Sequence, residues 1–135
     1  MVAQRETMLS KNYAVAIFGG VILVAAVLGC GGGQTQVCRG EIAFGGRSFR
    51  GVAGDEKRAK MDTCTKYCIE GDPAVGKVYM NWAKSQTDPD KIEMSIYDAM
   101  TIEKTIADAI RSCEPRCLSD VEGGRLKMEL TCNER

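Results

Sequence analysis

Cys64-Thr65-Lys66-Tyr67-Cys68 and Cys113-Glu114-Pro115-Arg116-Cys117 are the stretches whose reading decides the fold of this chain. Each places two cysteines four residues apart, the spacing at which side chains stand one above the other on a single helix face. Two helices packed antiparallel would join Cys64 to Cys117 and Cys68 to Cys113 as two rungs. Met61 falls on the same face as Cys64 and Cys68, with Tyr67 beside them. Pro115 argues against a regular helix through the second motif, because proline has no amide hydrogen and its ring crowds the preceding turn. It is expected to end or bend the helix there.

The paired motif resembles, in geometry alone, the twin motif of helical-hairpin proteins of the mitochondrial intermembrane space, where the two halves lie closer in sequence. Cys38 and Cys132 remain, each on an alternating segment, and could bridge the first and last strands. Six cysteines permit 15 pairings, of which this set is one.

Working outward, Cys38, Gly40, Ile42 and Phe44 alternate with Arg39, Glu41 and Ala43, the two-residue period of a half-buried strand. Gly45-Gly46 accepts the positive φ angles of a tight hairpin turn, and Arg47 to Val52 supplies the return strand. Asp55 is placed to cap the helix that carries Cys64 and Cys68, and Gly71-Asp72-Pro73 to stop it. Asp72-Pro73 starts a second helix with a stripe of Val75, Val78, Tyr79 and Trp82, and Trp82 reads as the largest piece of that core. Residues 91–98 fit either a strand or a helix. A single helix from Pro89 to Cys113 is the favoured reading, with a strand followed by a helix close behind. Leu126, Met128, Leu130 and Cys132 alternate with Arg125, Lys127, Glu129 and Thr131 as a closing strand. The expected fold is α+β: a small disulfide-stapled domain whose antiparallel sheet combines an N-terminal hairpin with the C-terminal strand, plus two or three helices, following an N-terminal signal or anchor helix.

That leading segment has its own pattern. The polar start, with Arg5, Glu6 and Lys11, gives way to an apolar run from Ala14 to Leu28. Fifteen helical residues span about 22 Å, short of the roughly 30 Å hydrocarbon core but sufficient for a signal peptide. Val27-Leu28-Gly29-Cys30 closes the run. These four residues resemble the lipobox of bacterial lipoproteins. The resemblance implies a diacylglyceryl thioether on Cys30, cleavage after Gly29 and acylation of the new amino terminus. It extends over the first thirty residues only. The alternative is an uncleaved signal anchor in which Cys30 is incidental. The expected division is a signal peptide over 1–29, a lipidated flexible tether over 30–36 and a cysteine-rich domain over 37–135. Taking Cys30 from the seven cysteines leaves six, an even set for disulfides.

Composition narrows the function classes. The chain has 135 residues, 18 basic and 18 acidic groups and no histidine. Balanced charge argues against a nucleic-acid partner, and the missing histidine removes His-based triads and His-ligated metal sites. Cys-x-x-Cys-His, the attachment site of c-type haem, does not occur. Nothing in the spacing of the acidic residues singles out a catalytic pair. The sequence therefore points to a non-enzymatic binding or accessory subunit of a bacterial cell envelope, without cofactor or metal. It would be tethered to a membrane by its lipid, or by a transmembrane segment, and could have a protein partner there. Gly31 after Cys30, in place of aspartate, favours the outer membrane by the same resemblance. A second reading makes Cys64, Cys68, Cys113 and Cys117 a thiol-redox pair of pairs or a metal site of four thiolates. A third keeps the leader uncleaved, as a single-pass subunit of a membrane assembly.

Overall fold

The hairpin closes through Gly45 and Gly46, at φ 58° and 76°, a backbone that glycine adopts without the steric cost of a Cβ. In the computed structural model, which describes residues 35–134, this turn joins β1 (Gln36–Phe44) to β2 (Arg47–Ala53) with Phe44 opposite Arg47. β3 (Met128–Glu134) pairs antiparallel along the other side of β1, with Cys38 opposite Cys132 and Gly40 opposite Leu130. The order is β2-β1-β3, so the first strand is central and has Cys38, Gly40 and Ile42 buried on its inner face. The leader, Cys30 and the expected tether up to residue 34 lie outside the described residues, and Gln36, expected to end the tether, is instead the first residue of β1.

Of five helices, the first packs directly on that inner face and the others pack behind it or on one another. α1 (Glu56–Glu70) starts at Asp55, whose carboxylate accepts the Arg58 amide at 2.8 Å. It buries Ala59, Thr63, Cys64, Tyr67, Cys68 and Ile69. Met61 does not join them. It is 48% exposed, because one turn before Cys64 it borders an open groove with Leu118 and Glu122 rather than the packed core. α2 (Pro73–Ser85) begins at Asp72, which accepts the Ala74 and Val75 amides at 3.0 Å each. Only Val75 of its stripe is fully covered; Trp82 packs at the rim, and the largest fully buried side chains are Ile42 and Ile106.

The single helix expected from Pro89 to Cys113 is three: α3 (Pro89–Ile92), α4 (Ile96–Ile102) and α5 (Lys104–Glu122). Two local caps break it. The Ser95 hydroxyl accepts the Asp98 amide, and Glu103 turns extended (φ −112°, ψ 109°) to accept the Thr105 amide. Such side chains offer amides a partner outside the helical ladder. The first break is also tied to α2, since the Tyr79 hydroxyl donates to the Met94 carbonyl at 2.6 Å.

α5 then runs through Pro115 to Glu122 without ending. Proline there faces solvent, while Cys113 and Cys117 on either side are buried and bonded to α1. The acceptor left without its i+4 amide, the carbonyl of exposed Arg111, belongs to the outer side of the helix, where water can satisfy it. Among the described residues no helix is long and apolar enough to cross a membrane.

Candidate functional site

Two features could carry function: the sulfur ladder between α1 and α5, and the solvent-facing side of the sheet. In the ladder, Cys64 is bonded to Cys117 and Cys68 to Cys113, each with Cα atoms 5.7 Å apart. Cys38 is bonded to Cys132 across neighbouring strands, Cα to Cα 4.0 Å. Every cysteine among the described residues is thereby paired. The four helical sulfur residues are at most 2% exposed.

This geometry bears on the redox and metal readings. A catalytic dithiol needs an accessible sulfur with a stabilised thiolate, usually at a helix N-terminus. Here the two cysteines of each motif bond to the opposite helix and are sealed in the core. A zinc site built of cysteines alone needs four thiolates converging on one point, whereas these sulfurs form two separate rungs one helical turn apart. The three bonds are what an oxidising, exported setting permits and a reducing cytosol does not.

Around the ladder, polar contacts lock the same helices. The Thr65 hydroxyl donates to Glu114 at 2.7 Å, and Arg116 donates to Asp72 at 2.7 Å. Asp72 is 8% exposed and caps α2 with its other oxygen, so one carboxylate joins α2 to α5. At the opposite end, Tyr97 of α4 donates to the Glu70 carboxylate, and Arg47 of β2 donates to the Glu70 carbonyl at 2.9 Å. The hydrogen bond to Glu70, then burial, then the Glu70 charge push the Tyr97 phenol up to about 12.

The outer side of the sheet is the open surface. Arg39, Glu41, Arg50, Val52, Glu129, Thr131 and Asn133 project from it around a shallow depression of about 380 Å³. Arg50 donates to both oxygens of Glu41, at 3.0 and 3.3 Å. That hydrogen bond, followed by one from Ser48, holds Glu41 below the usual carboxylate range, and Glu41 in turn raises Arg50. Arg39 lies between Val52 and Thr131 in the register and makes no ion pair among the described residues. A lone guanidinium beside a hydroxyl and an amide can grip a carboxylate or phosphate. No nucleophile stands next to a base on this face.

Strand alternation alone marks Arg39 and Glu41 as outward, but it does not bring Arg50, Thr131 and Asn133 beside them. That required the register. Asp62 of α1, whose carboxylate accepts the Val52 amide at 2.9 Å at the edge of β2, carries no sequence signal that would have picked it out. Comparison of the chain with known protein families, with curated proteins and with solved structures finds no match in any of the three.

Proposed function

We propose that the chain is an exported lipoprotein, held at a membrane by lipid on Cys30, whose disulfide-bonded domain is a non-enzymatic binding or accessory subunit of a cell envelope. The observation that carries the reading is the sulfur count. Six of the seven cysteines bond to one another, and the seventh is Cys30, in the stretch that resembles a lipobox. An outer-membrane location rests on Gly31 following Cys30.

The domain offers a surface rather than a cleft. Its polar side chains engage one another in caps and ion pairs at element junctions, which supports a scaffold that presents the open sheet face. Five residues separate Cys30 from Gln36, a reach of about 17–20 Å when extended. Gln36 pairs with Glu134, and Gly54 lies beside Gln36, so the tethered pole is the start of α1. The Gly45-Gly46 turn lies nine residues of strand away, at the other end of β1, about 30 Å along the sheet.

Intact-mass measurement of the membrane-extracted protein tests the reading. A chain starting at Cys30 and carrying lipid mass is the expected result. An uncleaved amino terminus without lipid would overturn it and favour the single-pass subunit.

A further inference from the structure

We propose that two copies of this chain pair edge to edge through β3, antiparallel about a two-fold axis at Leu130, making one six-stranded sheet. The two edges of the sheet are not alike. On β2 the Val52 amide donates to the Asp62 carboxylate of α1 at 2.9 Å, so a helix side chain occupies that edge. Among the described residues nothing occupies the edge of β3.

The register says which groups are open. The Val52 amide points off β2, so its partner Arg39 turns its own amide and carbonyl toward β3, where it meets Thr131. Antiparallel strands alternate. Met128, Leu130 and Cys132 therefore direct their backbone groups off the free edge. The 4.0 Å Cα separation of Cys38 and Cys132 fits this, being the close spacing of a pair without mutual backbone bonds. A two-fold axis at Leu130 sets these three residues against the same three of the second copy: Met128 to Cys132, Leu130 to Leu130, Cys132 to Met128. Every open group of these three residues then has a partner, and Glu134, which ends β3 with the same orientation, falls opposite Leu126 just before the second copy's strand.

The inner face needs such a neighbour. α1 lies over β2 and β1, and the inward side chains of β3 are only half covered: Met128, Leu130 and Cys132 are all intermediate, while Cys38 and Ile42 on β1 are fully buried. Pairing sets Leu130 against Leu130 and Met128 against Cys132 beneath the extended sheet. Charge selects the direction. Arg125 and Lys127 precede the strand and Glu134 ends it, so antiparallel pairing places a basic end beside an acidic one. Parallel pairing would bring like charges together, which is unfavourable across strands. On the outer face Glu129 meets Thr131 of the second copy, with no like charge directly opposite.

The test uses exposed positions that the fold does not need. Full-length chains carrying Glu129→Cys and Thr131→Cys are co-expressed, the membranes mildly oxidised, and cross-linked peptides identified by mass. The expected result is a 129-to-131 intermolecular disulfide at least about tenfold above the cross-linking of either variant expressed alone. Co-expression that gives no more of this peptide than the single variants would overturn the proposal, and would leave the edge to an unrelated strand or to solvent.

Discussion

Gly40 and Gly51 are register partners on β1 and β2, and Thr63 of α1 sits directly over both. A Cβ on Gly51 would come within 2.8 Å of the Asp62 carbonyl carbon and closer still to the Thr63 amide. On Gly40 the obstacle is the Thr63 side chain. The absence of two side chains lets α1 settle on the backbone of the sheet. The Thr63 hydroxyl is fully buried there and donates to the Ala59 carbonyl at 2.7 Å.

Gly51→Ala should therefore destabilise the domain by about 2–4 kcal/mol, the upper range for overpacking a close contact. Gly40→Ala should cost less and be partly rescued by Thr63→Ala, which removes the obstructing atoms. Thr63→Ala should not rescue Gly51→Ala, because backbone is in the way. Denaturant unfolding of the single variants and of the two doubles reads the coupling directly.

The three disulfides should contribute unequally. Cys38–Cys132 spans 94 residues of sequence, worth about 4–5 kcal/mol in the chain-entropy account. With Cys64–Cys117 in place, Cys68–Cys113 closes only a short extra loop, so either rung alone should be worth about 2–3 kcal/mol. Removing both rungs should cost more than the sum of the single removals. Thermal unfolding of paired Cys→Ala variants checks the order, and equal losses from every single pair would contradict it.

Asp72 has two jobs that substitutions can separate. Asp72→Asn keeps an oxygen for the Ala74 and Val75 amides but weakens the pairing with Arg116. Asp72→Ala loses both. We expect Asp72→Ala to cost about 2 kcal/mol, roughly twice the loss for Asp72→Asn, since an N-cap is worth about 1 kcal/mol. Urea midpoints of the two variants decide it.

Pro115→Ala should stabilise the protein by about 1 kcal/mol, restoring an amide to the Arg111 carbonyl in an exposed helix turn. A lower melting temperature for this variant would show that the proline supports a bend the disulfides require.

The raised Tyr97 phenol makes a pH prediction. A group that holds its proton more tightly when folded adds stability that is full below its unfolded pKa, near 10, and is lost as pH rises toward about 12. Stability should thus fall between pH 10 and 12, and fall less steeply in Tyr97→Phe. Tyrosinate absorbance, followed residue by residue with single Tyr→Phe variants, should show Tyr97 among the last to ionise.

Much of the architecture was legible because it depends on short-range pattern. The Gly45-Gly46 turn, the alternating strands and the capping residues Asp55 and Asp72 act within a few positions of themselves. The run from Pro89 to Cys113 was misread because its apolar periodicity continues across Ser95 and Glu103, whose capping competes with the helix at a cost that only packing resolves. The open sheet face was half legible: alternation shows which residues face out, and not which stand side by side.

What the amino-acid order determined by itself was local: the turn, the helix starts, the inward faces of the strands and an even set of cysteines beyond Cys30. Periodicity and capping act between residues a few positions apart, and every folded state the chain could adopt must respect them. Tertiary structure decided the rest: which strand is central, that α1 rests on Gly40 and Gly51, that Pro115 stays within a helix, and that β3 keeps an open edge. Those outcomes depend on contacts between residues far apart in the chain, where packing and backbone pairing, not neighbouring sequence, set the free energy.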